Sequence, residues 1–247
     1  KVTNRAADVF LFMIDHGGFA IDPADTQFFI DNEVITPTDL NIWLNVLESS
    51  ISTYDQASTT SILTDTSRIV VVGSCYSGGF ISTLSKDNRV IITSAAADEQ
   101  SFKGPEEADG VRTGELFVEH LLDELVDGAN LKNAFNTATL ETETQTKEGQ
   151  LSANAALNEN LDQSIQHPLL DDNGDGDGTN ALFDHDTTGG VLDGTLAATI
   201  KLGFDRTTDK NNAVNFASIT GVPGPLYLDA NTSSQELLLS VNDEYLV

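Results

Sequence analysis

The sequence is poor in cations, in cysteine and in long apolar runs, and each shortage closes off a class of protein. Only 12 of its 247 residues are Lys or Arg against 39 Asp or Glu, giving a formal charge of −27 and a pI near 4.1. A surface this acidic repels nucleic-acid phosphates and anionic lipid headgroups, with no surplus of cations whose binding would release counterions. Neither nucleic acid nor a membrane is therefore expected as a partner. No apolar run approaches the roughly 18–20 residues of a membrane span; the longest lies around Val9 to Ile14. The opening K-V-T-N-R-A-A-D lacks the apolar segment of a signal peptide, and a chain beginning with Lys reads as a processed piece whose original targeting is not visible. The acidic excess suits a solvated surface on a secreted, cell-surface or periplasmic protein. The single cysteine, Cys75, excludes an internal disulfide and is either a small buried hydrophobe or a reactive thiol.

What is present describes a globular chain. With 39% hydrophobic and 7% aromatic residues, collagen-like, coiled-coil and wholly disordered readings fall away. Val9-Phe10-Leu11-Phe12-Met13-Ile14 reads as a strand covered on both faces and ends at Asp15-His16-Gly17-Gly18. Phe28 to Val34-Ile35, turning at Asp31-Asn32-Glu33, reads as a small hairpin. Thr36-Pro37-Thr38-Asp39 combines a capping hydroxyl, a proline and an acid at a helix start, with Leu40, Trp43, Leu44, Leu47 and Ile51 as the apolar stripe and a loop from Thr53 to Thr66. Ile69 to Val72 and Val90 to Ile92 are two further strands, with a helix start at Phe80 between them. Leu116 to Leu125, ended by Gly128, and Leu131 to Ala138 are amphipathic helices. Alternating strands and helices imply an α/β layer structure with a mostly parallel sheet. Residues 1–204 form the main domain; after Asp205 short alternating runs separated by Gly, Pro, Asn and Ser suggest a β-rich tail over 205–247.

In open α/β sheets reactive groups collect beyond the carboxyl ends of the strands. His16 and Cys75 each stand just past such an end, so parallel neighbouring strands would bring imidazole and thiol to one sheet edge. A thiolate is the nucleophile in cysteine chemistry, and a nearby imidazolium lowers the thiol pKa. Gly17 and Gly18 allow close backbone approach, and amides there and at Cys75 could hold a developing oxyanion.

These stretches, V-F-L-F-M-I-D-H-G-G and R-I-V-V-V-G-S-C-Y-S-G-G-F-I, with R-V-I-I-T-S-A-A-A-D-E-Q-S-F and the A-F-x-x-A helix at Ala134 to Ala138, resemble the caspase-like cysteine peptidases, and among them the bacterial legumain-like family, over roughly Ala7 to Pro168. The resemblance implies a caspase-like three-layer αβα sandwich. It implies His16 as general base, Cys75 as nucleophile, the amides of Gly17 and Cys75 as oxyanion donors, and peptide hydrolysis through an acyl-enzyme with no catalytic cofactor and a peptide or protein as partner. Relatives usually carry an acid two positions before the cysteine, at the pocket for the substrate side chain; here that position is Gly73, followed by Ser74. Ser101 matches a pocket-lining serine of that group, and Asp98 and Glu99 are candidates for negative charge there. Relatives also carry strands ahead of the His strand, whereas only Lys1 to Ala6 precede it here. Other domains or an N-terminal segment of a parent protein would then complete the sheet, or the chain is an incomplete, inactive domain.

A second constellation is Asp171-Asp172-Asn173-Gly174-Asp175-Gly176-Asp177-Gly178, oxygen ligands at alternate positions with a glycine at the turn, as in the first half of an EF-hand or dockerin calcium loop. It nominates Asp171, Asn173, Asp175, Asp177 and Thr179 for a structural calcium ion. The twelfth position is Leu182, so closure falls to another acid such as Asp184 or Asp186.

Blander readings stand for other residues. His120 is a partly buried helix histidine, His167 and His185 are solvated loop positions, Asp15 is a strand-end acceptor, and Trp43 belongs to its helix's apolar stripe. Two alternatives to the peptidase remain: a calcium-stabilised binding or surface module on a degenerate peptidase fold, and a transpeptidase sharing the acyl-enzyme.

Overall fold

A computed structural model of the chain describes residues 8–56, 66–104, 114–147, 165–180 and 192–202, the backbone alone over 51–56. The chain divides into two units, 1–203 and 204–247. The expected β-rich tail falls in the second unit and, with Leu182, Asp184, His185 and Asp186, lies outside the described residues.

The first unit runs β1 (Val9–Ile14), β2 (Gly17–Gly18), β3 (Gln27–Ile30), β4 (Glu33–Ile35), α1 (Pro37–Gln56), β5 (Arg68–Gly73), α2 (Ile81–Leu84), β6 (Arg89–Thr93), α3 (Leu116–Val126), α4 (Leu131–Lys147) and β7 (Leu169–Asp171). The main sheet has the order β1-β5-β6-β7, the first three strands parallel and β7 antiparallel to β6; β2, β3 and β4 form a small antiparallel sheet beside it.

Continuous apolar strands are needed because both faces of the main sheet are covered. Side chains alternate across a strand, so Ile69, Val71, Val90 and Ile92 pack on α3 and α4, through Phe117, Leu121, Leu131 and Phe135. Val70, Val72 and Ile91 face the other way, onto Leu40 and Leu44 of α1 and onto Phe80, Ile81 and Leu84. Two helical layers around a mostly parallel sheet make the three-layer sandwich that the sequence implied. Phe117 and Phe135 meet edge to face at 5.8 Å, the arrangement that brings a positive ring edge to a negative ring face.

Thr36 caps α1 as its sequence suggested: its hydroxyl donates to Asp39 Oδ2 at 2.6 Å and accepts from the Asp39 amide. The hydroxyl bond foremost, and then the Thr36 amide donating to the same Oδ2 at 3.1 Å, lower the Asp39 pKa. The helix differs from expectation in two ways. It continues to Gln56, four residues into the expected loop, and Trp43 is 54% exposed instead of joining the buried stripe. The face that meets the sheet follows Leu40, Leu44 and Glu48, and its last member is an acid because it receives two buried cations. Glu48 Oε1 accepts from Arg68 Nε at 3.1 Å and Arg89 Nε at 2.7 Å, and its Oε2 accepts from Lys86 Nζ at 2.7 Å. Burial pushes the Glu48 carboxyl up, but bonds from Arg89 and Lys86 and the charges of Arg89 and Arg68 hold it down at about 2. Arg68 and Arg89 open β5 and β6, so this charged cluster sits at the opposite end of the strands from Cys75.

Strand β7 was not expected; Leu169 to Asp171 pairs with Thr93 to Ile91 and delivers the acidic turn to the sheet's edge. His120, half-buried, bridges α3 to α4 at 2.8 Å from Glu141 Oε2 and 2.8 Å from Gln145 Nε2. Among the described residues no helix is long and apolar enough to cross a membrane.

Candidate active site

The parallel register of β1 and β5 ends with Ile14 opposite Gly73. His16 and Cys75 each follow two residues beyond this pair, on strands whose usual spacing is about 4.8 Å. The ladder is prolonged by one bond, Asp15 N–H to the Gly73 carbonyl at 3.2 Å. The Asp15 carboxylate accepts from the His16 amide at 2.8 Å, the strand-end role its position suggested. The His16 carbonyl accepts from Phe29 N–H at 3.0 Å, fastening the His-Gly turn to the small sheet, while the His16 side chain is exposed.

Gly17 explains its own identity. A Cβ built on it would fall on the Cys75 carbonyl oxygen and lie 2.9 Å from Ser74 Oγ, so the two turns touch backbone to backbone and a side chain there would force them apart. The cysteine turn is built as tightly. Tyr76 adopts left-handed geometry, φ 61° and ψ 16°, uncommon outside glycine. Its amide donates to the Glu99 carbonyl and its ring meets Phe19 edge-on at 5.5 Å. The Ser77 hydroxyl accepts from Ala95 N–H at 3.1 Å, and Gly78 lies so close to Ala96 and Ala97 that a Cβ would be 2.5 Å from the Ala97 nitrogen.

The other nominated residues divide. Cys75, partly exposed, has its Sγ 3.8 Å from the Ser101 carbonyl oxygen and 3.9 Å from Ser101 Oγ, so Ser101 is brought to the thiol. Gly73 and Ser74 are buried beneath it, the Ser74 amide bonded to Ser94 Oγ at 3.1 Å. Asp98 is exposed at a turn. Glu99 turns its carboxylate to His167, whose Nδ1 lies 2.6 Å from Oε1 and whose amide donates to Oε2 at 2.9 Å; His167 is thus paired, not the solvated loop histidine expected.

Two residues of this region escaped the sequence reading. Glu115, 8% exposed, caps α3 by accepting from Val118 N–H at 2.9 Å, and it also accepts from Gln166 Nε2 at 2.8 Å. Burial outweighs these bonds and pushes its pKa up to about 7. Gln166, fully buried, spends its other groups on the Ser94 carbonyl at 2.7 Å and the Phe102 amide at 2.8 Å, which holds the segment just after Ser101. An acid directly ahead of an apolar helix start was the available sign for Glu115; nothing local marks Gln166.

The acidic turn stands apart from the thiol. Leu170 and Thr179 exchange both backbone bonds, closing residues 171–178 into a loop, with Gly174 and Gly176 at φ 79° and 83°. Asp175 and Asp177 are exposed, while Asp171 is buried. Asp172, which was not nominated, accepts from Gly194 N–H at 2.8 Å and Ala197 N–H at 2.7 Å, and so binds a segment 20 and more residues further on.

A mostly parallel sheet between two helical layers has the α/β character of the caspase-like fold, and a histidine and a cysteine stand just beyond the carboxyl ends of its neighbouring strands β1 and β5. The Peptidase C13 family model matches residues 2–165, well over half of the chain. The chain belongs to the Peptidase C13 family, the legumain family, and is a cysteine-type peptidase, a hydrolase of peptide bonds. No curated protein matches the sequence.

Proposed function

We propose that this peptidase is an endopeptidase in which His16 and Cys75 form the catalytic dyad and the peptide bond is cut through a thioester acyl-enzyme. The observation that carries the reading is the packing of Gly17 on the Cys75 carbonyl. It makes the histidine turn and the cysteine turn immediate neighbours, which supports pairing the two residues in one site.

His16 takes the proton of the Cys75 thiol, and the thiolate attacks the carbonyl carbon of the substrate. The carbonyl π pair moves to oxygen, and that oxyanion is held by the Gly17 and Cys75 amides, donors fixed in place before the reaction begins. Collapse of the tetrahedral intermediate breaks the C–N bond, with the imidazolium proton passing to the leaving amine. Water, deprotonated by His16, then attacks the thioester, releasing the acid and restoring the thiol. Ser101, flanking Sγ, borders the space for the substrate residue before the cut.

Replacing Cys75 with Ala tests this directly. Cleavage of a peptide library and labelling by a thiol-directed electrophile should both disappear; unchanged cleavage refutes the assignment. A wild-type protein that cuts no peptide and resists labelling returns the chain to the binding-module reading.

A further inference from the structure

The acidic turn has a partner that the motif did not contain. Asp193 lies 22 residues beyond Asp171 in sequence and only 1% exposed, and its Oδ1 accepts from the Asp172 amide at 3.1 Å. Its Oδ2 is buried with no hydrogen-bond partner, and so is Oδ2 of Asp171, likewise 1% exposed, whose Oδ1 is taken by the Gly174 amide at 3.1 Å and whose carboxylate also feels the Ser85 hydroxyl and the Gly176 amide. Asp193 is within electrostatic reach of Asp171, Asp172 and Asp175. Asp172 is already satisfied by amides of the 194–197 turn and feels Lys132. Two orphaned carboxylate oxygens in one acidic, buried neighbourhood are costly, because an ionised carboxylate out of water needs donors or a counter-cation.

We propose that the junction between the 171–178 loop and the 193–197 turn is a calcium site, with Asp171 and Asp193 as its buried carboxylate ligands and Asp175 and Asn173 closing it from the solvent side. Asp193 thereby replaces the distant acid that the twelve-residue pattern lacks. Among the described residues no three acidic or imidazole side chains stand close enough to hold a metal by themselves, so the shell includes main-chain oxygens and water, and Asp175 must rotate inward from its bonds to Asn173 and Asp177. Mutual repulsion keeps these carboxylates apart when no cation lies between them. An all-oxygen, irregular shell built on a loop suits calcium, which takes 6 to about 8 ligands, better than magnesium, which demands a near-ideal octahedron.

The site would clamp three pieces of the fold. Gly178 packs on Ile81 of α2, Gly174 on the Lys86–Asp87 backbone, and the 193–200 segment ends by accepting the Leu131 amide of α4 at the Ile200 carbonyl. The first of these follows directly from the cysteine turn.

The test uses the full chain, stripped with a chelator and titrated with calcium chloride, with magnesium chloride as a parallel arm. Equilibrium dialysis should find one calcium per chain, and the melting temperature should rise by roughly 5 to 10 °C at a calcium concentration about 100-fold above Kd. Asp193→Asn and Asp171→Asn should each lose about 10-fold or more in calcium affinity, while melting higher than the wild type without calcium, since each removes a buried like charge. No calcium bound by the wild type, magnesium bound as tightly, or unchanged affinity in either variant overturns the assignment.

Discussion

Gly73 and Glu115 are complementary in space: a Cβ added at Gly73 would lie 3.5 Å from Glu115 Oε2 and 2.7 Å from Val118 Cγ2. The acid that the family resemblance leads one to expect two residues before the cysteine is missing from the sequence position. A carboxylate nevertheless stands beside that position, delivered from the start of α3, and the Val118 methyl next to it leaves no room for a side chain at Gly73.

Gly73→Ala should therefore destabilise the fold by about 1–3 kcal/mol, the usual cost of forcing an extra carbon into a packed interior. Because the nearest obstacle is a side-chain methyl, Val118→Ala should recover part of the loss in the double variant. A double-mutant cycle from urea denaturation midpoints measures this; strict additivity of the two changes contradicts it.

Gly17→Ala should be far worse for catalysis than for folding. The added carbon meets main chain at Cys75, not a side chain that can swing aside, so one of the two turns must move. A displacement of about 1 Å at a catalytic group can cost about 100-fold in rate. The expected outcome is a loss of that order in kcat/KM, with thiol labelling of Cys75 retained. A variant with wild-type kcat/KM would show that the contact does not align the proposed His16–Cys75 dyad.

Much of this arrangement was legible in the sequence, and the parts that were not share a cause. Apolar strands ending at His16 and Cys75 carry their period and their punctuation locally, so their elements and their parallel pairing could be inferred. Ser101 was nominated through the family pattern and lies at the thiol. Glu115, Gln166 and Asp193 act through partners 51 and 21 residues distant, and no local period encodes such contacts. Trp43 was misassigned because helical spacing alone cannot say which of two adjacent stripes meets the sheet. The answer depended on Arg68 and Arg89 demanding an acid, Glu48, on the inward one.

Glu115 makes a pH signature of opposite sign to that of a salt-bridged acid. Its folded-state pKa is raised to about 7 from 4.5, so between those values the native protein binds a proton that the unfolded chain has released. Stability therefore falls as pH rises through this window, by about 3 kcal/mol for this residue alone. Glu115→Gln, which cannot ionise, should gain on the wild type by about that amount between pH 4 and about pH 8. Urea midpoints across the range provide the comparison, and a difference that stays flat with pH would sink the claim.

Glu48 should act in the reverse direction. Its carboxyl is held down to about 2 from 4.5 by its cationic partners, so the stability it supplies is fully present above about pH 4.5 and is lost as pH falls toward 2. At neutral pH Glu48→Ala leaves Arg68 and Arg89, 3% and 1% exposed, without their shared acceptor. Removing one partner of a buried ion cluster costs about 3–5 kcal/mol, and this deficit should shrink steadily on acidification. Catalysis offers the control, since the cluster sits at the far end of β5 and β6: under conditions where the variant is still folded, its kcat/KM should match the wild type. A selective fall in kcat/KM with stability unchanged would mean that Glu48 communicates with the thiol instead of anchoring the strands.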